Sequence, residues 1–166
     1  MDKNRKRNII YITLKTGGIN CVISKNQNQE INRYSKNTNK RKHAAGYDMY
    51  ADVKEDVQIK PHETVKIGTG FAMEIPDGYF GAIFARSGLA AKEGLRPANC
   101  VGVCDSDYRG EYIVAIHNDS EETRTITAGE RIAQLVVMPY LPVTFDEVAE
   151  LTDTNRGEGG FGSTGK

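Results

Sequence analysis

Residues 64–85 read TVKIGTGFAMEIPDGYFGAIFA, two short apolar runs (64–71 and 79–85) on either side of Pro76-Asp77-Gly78. Proline presets the first φ of a turn, aspartate bonds its own backbone and glycine accepts a positive φ, so the triplet predicts a tight turn between two strands. The same texture extends in both directions from Ala44 onward. Apolar runs at 47–53, 57–59, 112–118, 123–127 and 132–138 are separated by Gly, Pro, Asp and Asn, with further turns at Lys60-Pro61 and Ala128-Gly129. No long amphipathic helix competes with them. One helical turn is predicted at 87–92, where Ser87 can cap the N-terminus, Leu89-Ala90-Ala91 favours helix and Gly94 can end it. The chain therefore reads as all-β, with a distorted jelly roll or related β-sandwich as the economical architecture.

Composition bounds the rest. A chain of 166 residues suits one domain, and 39% hydrophobic with 27% charged residues is ordinary globular usage. No apolar run approaches the roughly 20 residues of a membrane helix. The basic start MDKNRKR leads into IIYITLKTGG, where Thr13 and Lys15 interrupt any signal-peptide core, so a cytoplasmic protein is expected. Cys21, Cys100 and Cys104 are odd in number and lack Cys-x-x-Cys spacing, which favours reduced thiols over a zinc site. The net charge of zero hides an asymmetry. Residues 1–43 hold eleven Lys/Arg against two Asp/Glu, a net +9, and the remainder holds eleven against twenty, a net −9. The basic residues are diluted by Asn, Gln and Ser without interleaved aromatics, so a solvated extension is favoured over a nucleic-acid arm. Within it, 9–14 predicts one strand and 24–42 a loop.

Five segments carry more specific chemistry. Arg86-Ser87-Gly88 sets a guanidinium, a hydroxyl and exposed amides at the start of the helical turn, a corner suited to phosphate. Gln134, an amide within the apolar run Ala133, Leu135 and Val136, is either a structural hydrogen bonder or a contact to substrate or water. Residues 102–111 read as a glycine-flanked hairpin. There Asp105 can act as a base toward water, Asp107 suits a turn, and Tyr108 is either core or a platform for a sugar or base. Asp48 is a lone carboxylate in an apolar strand and should be paired or held near a cation. Residues 156–165, half of them glycine, combine Arg156, Phe161 and Gly162-Ser163-Thr164-Gly165: a phosphate fork, an aromatic stacker and a phosphate-cradling loop. That combination reads as a lid that orders on substrate rather than an inert tail.

In this order AAGYDMYA (44–51), ARSGLA (85–90), NCVGVCDSDYRGE (99–111), GERIAQLV (129–136) and RGEGGFGSTG (156–165) resemble the five motifs of the homotrimeric deoxyuridine triphosphatase (dUTPase) family. The resemblance implies a basic extension at 1–43, a β domain at 44–150 and a closing arm at 151–166, in a trimer whose active sites are shared between subunits. It implies hydrolysis of dUTP to dUMP and pyrophosphate, with Asp105 orienting the attacking water and Gln134 assisting. Mg²⁺ would be held mainly by the substrate phosphates and through water by Asp48. The phosphates would meet Arg86, Ser87, Gly88, Arg156, Gly162, Ser163 and Thr164. Asn99 and the backbone across Val103, Cys104 and Ile113 would read the uracil, Tyr108 would exclude ribose, and Phe161 would stack on the base. Two departures stand out: Ala85 replaces a usual proline, and the stretch before residue 43 matches poorly. A dCTP deaminase of the same fold and a nucleotide-binding regulatory protein are the rival readings.

Overall fold

The computed structural model describes residues 8–10, 22–25 and 44–160. Among the described residues twelve strands and one helix are formed: β1 (Asn8–Ile10), β2 (Val22–Lys25), β3 (Tyr47–Tyr50), β4 (Val57–Ile59), β5 (Thr64–Gly68), β6 (Phe71–Glu74), β7 (Tyr79–Phe84), α1 (Ser87–Glu93), β8 (Leu95–Pro97), β9 (Val101–Cys104), β10 (Ile113–Asn118), β11 (Arg124–Ile126) and β12 (Arg131–Pro139). All pairings are antiparallel. The sheets run β1-β2-β6, β5-β10-β8, β11-β4 and β3-β12-β7-β9. This is the expected all-β, jelly-roll-like architecture.

Alternation drives the layering. In β10, Val114, Ile116 and Asn118 point inward while Ile113 faces out, the period-two pattern of a strand with one solvated face. One apolar core is shared by the sheets, among them Met49 of β3, Ile59 of β4, Ile67 of β5, Ile116 of β10, Ile126 of β11 and Leu135 of β12. Each such side chain contributes about 1.5–3 kcal/mol by leaving water. The turn at 76–78 closes as read, with Tyr79 N–H donating to Pro76 O at 3.2 Å and Gly78 at φ 83°.

Several readings are corrected. The run 64–71 is two strands, because at Thr69-Gly70 the chain changes sheets: β5 pairs with β10 and β6 with β2. Gly70 sits at φ 71° and its N–H donates to Glu111 Oε1 at 2.9 Å, while Thr69 Oγ1 donates to Tyr112 O. Ser87 is not the cap of α1. The helix starts there, after an extended Arg86, and no side chain caps it; Gly94 at φ 70° does end it. Strand β8 was not foreseen, since three residues including Pro97 carry little strand signal; at a sheet edge proline is tolerated. Ser24 and Lys25, read as loop, belong to β2. Of the predicted strand 9–14, Ile9 and Ile10 lie in β1 and the rest falls outside the described residues.

The expected hairpin at 102–111 is also different. Strand β9 pairs with β7, and β10 pairs with β5 and β8. Residues 105–112 therefore form a crossing loop from one sheet to another.

Candidate active site

Two clusters of candidate residues sit on or beside the four-stranded sheet. The first is a charged corner. Gln134 of β12 lies directly opposite Asp48 of β3, so their side chains meet across the ladder and Gln134 Nε2 donates to Asp48 Oδ1 at 3.2 Å. Arg131 Nη1 donates to Asp48 Oδ2 at 3.2 Å. Positions 131 and 134 should face opposite ways in a regular strand. They converge because the β12–β3 register shifts between Arg131 and Ala133, which also buries the consecutive Ile132 and Ala133. Arg86 follows β7, the other neighbour of β12. Its Nε stands 3.5 Å from Asp48 Oδ1 and its Nη1 donates to Arg131 O at 2.9 Å. Two guanidinium groups thus surround one carboxylate and leave the corner net positive. An open cavity of about 460 Å³ adjoins it, lined by Arg86, Gly88, Lys92 and Arg131 and also by the carboxylates of Glu93 and Glu130. A Cβ on Gly88 would meet nothing in the chain, so its backbone is open to approach.

The second cluster is the crossing loop, held by bonds to its own backbone and by two outside contacts, Gly70 N–H to Glu111 Oε1 and Arg109 Nη2 to Glu74 Oε1 at 3.5 Å. Tyr108 N–H donates to Asp105 O at 3.2 Å, Tyr108 Oη to Glu111 O at 2.9 Å, and Arg109 Nη1 to Ser106 O at 2.6 Å. The Tyr108 ring lies over Gly110, where an added Cβ would overlap the end of the Tyr108 side chain and force it to move. One flank of Tyr108 packs on Tyr112 with ring centroids 5.9 Å apart, yet 44% of the residue stays exposed. Tyr108 is therefore a surface platform, not core. Asp105 is exposed, as are Asn99, Val103 and Ile113. Cys104, by contrast, is half-buried; burial first, and then the Asp105 charge, pushes its thiol up to about 11. It stays protonated at neutral pH and is no nucleophile.

The chain does not bring the two clusters together. Cys104 pairs with Gly81 and Gln134 with Phe84, on opposite sides of β7. Asp105 is thus about four residues along and two strands across from Gln134, roughly 15 Å away. Arg156 is exposed, with its Nε donating to Gly159 O at 2.8 Å inside a local turn. Phe161, Gly162, Ser163 and Thr164 lie outside the described residues. No group of three or more His, Cys, Asp or Glu that could hold a metal occurs among the described residues. Nor is any described helix long and apolar enough to cross a membrane.

The dUTPase family model matches residues 32–165, a span containing all five segments. The chain belongs to the dUTPase family. A deoxyuridine 5'-triphosphate nucleotidohydrolase of Nautilia profundicola is 53% identical over 125 residues, covering 75% of this chain and 87% of that protein. Among solved structures, a point mutant of the Staphylococcus bacteriophage 80alpha dUTPase with dUpNHpp matches with a TM-score of 0.64 at 31% identity, over 76% of this chain and 89% of that one. A mutant dUTPase of phage phi11, whose structure concerns the coordination of a structural Mg(II) ion, matches with a TM-score of 0.61 at 27% identity, over 69% and 89%. For this dUTPase-family chain, the residue that sequence reasoning missed is Arg131. It lies within the segment 129–136, but strict alternation would turn it away from Gln134, so the sequence assigns it no role.

Proposed function

We propose that the chain hydrolyses dUTP to dUMP and pyrophosphate, as a cytoplasmic homotrimer with three shared sites. The observation that carries the reading is the family match across residues 32–165, which includes every segment with candidate chemistry. Asp105 takes a proton from a water that attacks the α-phosphorus; the new P–O bond forms as the bond to the pyrophosphate oxygen breaks. Gln134 orients that water. Arg86 and the amides of Ser87 and Gly88 take phosphate oxygens, joined by Arg156, Gly162, Ser163 and Thr164 of the arm at 151–166. Asn99 and the backbone of Val103, Cys104 and Ile113 read the uracil edge, Phe161 stacks on it, and Tyr108 closes against the sugar. A ribose 2′-hydroxyl there would clash or be buried unpaired, at a cost of about 2–7 kcal/mol.

The separation of Asp105 from Gln134 supports sites built from different subunits. So does the apolar surface beyond β12: Leu141, Phe145 and Leu151 are 86%, 93% and 88% exposed, more than a lone chain would leave in water. Asp48 would meet Mg²⁺ only through water, because its oxygens already accept from Arg131 and Gln134 and face Arg86, and the substrate phosphates would supply most of the negative charge that holds the ion. A single carboxylate suits an ion that keeps most of its water and takes its other ligands from phosphates. When bound, Mg²⁺ neutralises triphosphate charge. The residues 1–43 carry no proposed role in nucleic-acid binding.

A deaminase reading is disfavoured by the family match and by relatives named deoxyuridine 5'-triphosphate nucleotidohydrolase. Pyrophosphate release is to be compared for dUTP, UTP, dCTP and dTTP with and without Mg²⁺. Release from dUTP alone, dependent on Mg²⁺, is expected; ammonia from dCTP at a comparable rate overturns the assignment.

A further inference from the structure

The Asp48 corner poses a competition. A carboxylate beside an arginine favours the two-point fork, in which parallel N–H groups grip both oxygens. Arg86 does not form that fork. Its buried Nε lies 3.5 Å from Asp48 Oδ1 and makes no hydrogen bond. The oxygens of Asp48 are instead taken by others, Oδ2 by Arg131 Nη1 at 3.2 Å and Oδ1 by Gln134 Nε2 at 3.2 Å. Arg131 also acts from its backbone, where its carbonyl accepts from Arg86 Nη1 at 2.9 Å. The register shift in β12 is what allows both acts, since it turns the Arg131 side chain toward Asp48 while its carbonyl faces Arg86.

We infer that Arg131 is a positioning residue: it occupies the Asp48 carboxylate so that Arg86 is steadied but not captured, leaving the outer, Nη2 side of the Arg86 guanidinium for phosphate. The inference rests on the proposed role of Arg86 in binding the triphosphate. Arg131 need not touch substrate. Its side chain is 51% exposed, so replacing it spares the core, and every variant keeps the backbone carbonyl.

Arg131→Met removes only the side-chain contact. Asp48 is then free to close on Arg86, and phosphate binding suffers. The KM for dUTP rises about tenfold, the scale of one charge-assisted hydrogen bond, while kcat stays within about threefold. A non-hydrolysable imido analogue of dUTP, titrated calorimetrically in EDTA, loses affinity by the same factor. Arg131→Lys restores a cation to Asp48 and recovers most of it. The decisive arm is the double variant: with Asp48→Asn there is no carboxylate to capture Arg86, and adding Arg131→Met then changes analogue affinity less than about twofold. A merely structural role would instead give additive losses in the double variant, and that result overturns the inference, as does wild-type affinity in Arg131→Met. Should methionine lower the melting midpoint, Arg131→Gln takes its place with the same expected loss. Wild-type turnover of dUTP with an unaffected Arg131→Met sinks this inference alone; a wild type that does not turn over dUTP sinks the functional reading with it.

Discussion

The corner at Asp48 and the loop at 105–111 flank the same sheet but are held by different forces. The corner is organised across strands: Asp48, Arg86, Arg131 and Gln134 come from or follow β3, β7 and β12, and each depends on its neighbours' register. Its contacts are charged, and it adjoins an open cavity lined by three cations, Arg86, Lys92 and Arg131, and two carboxylates, Glu93 and Glu130. The loop is organised mainly by short-range ties. Tyr108 and Arg109 bond backbone within three residues and Gly110 carries no Cβ, while two longer contacts, Gly70 N–H to Glu111 Oε1 and Arg109 to Glu74, anchor it to β6 and the turn before β6. An electrostatic corner suits phosphates, whose charge is large and whose exact seat matters less. A sterically defined loop suits a base and a sugar, where one methyl or hydroxyl must be told from none. The two kinds of order should fail differently.

The largest effect is expected in the loop's chemistry. Asp105→Asn keeps the shape and removes the base, so dUTP turnover should drop by about 10³-fold while affinity for a non-hydrolysable analogue stays within about threefold. Pyrophosphate release and calorimetry measure the two halves, and near-normal turnover would remove Asp105 from its role. Next comes the loop's self-support. Gly110→Ala drives the Tyr108 ring outward and breaks its bond to Glu111 O, at a stability cost of about 1 kcal/mol. The dUTP KM should rise about tenfold, and the preference for dUTP over UTP should shrink, whereas pyrophosphate affinity, which we propose resides in the corner, should not move. If pyrophosphate binding falls in parallel, the two regions are not independent. The smallest effect is at the base of the loop. With its thiol pushed up to about 11 by burial, Cys104 becomes a thiolate only as pH climbs toward that value. Iodoacetamide at pH 8, followed by peptide mass spectrometry, should label exposed Cys100 at least about tenfold faster than Cys104. Equal labelling would mean that the loop opens readily.

Much of the fold was readable in order along the chain. The strand at 57–59, the turns at Lys60-Pro61, Pro76-Asp77-Gly78 and Ala128-Gly129, and the helix stop at Gly94 are local events, decided by a few adjacent residues. Misreadings gathered where a partner strand decides the outcome. The run 64–71 reads along the chain as one strand, yet it is cut at Gly70 because β10 claims one half and β2 the other. Residues 102–111 look like a hairpin, but β9 finds β7 instead. Pairing over long separations leaves no mark in a short window.

The site divides along the same line. Residue types and their order along the chain were enough to single out Asp48, Arg86, Asp105, Tyr108 and Gln134, because a lone carboxylate, a buried amide or a glycine-bounded aromatic is conspicuous against an apolar background. That Gln134 faces Asp48, that Arg131 joins them and that Asp105 stands far from both could come only from three dimensions. A one-residue shift in register reverses which side chains share a face, and such a shift costs the chain too little, locally, to be written in its composition.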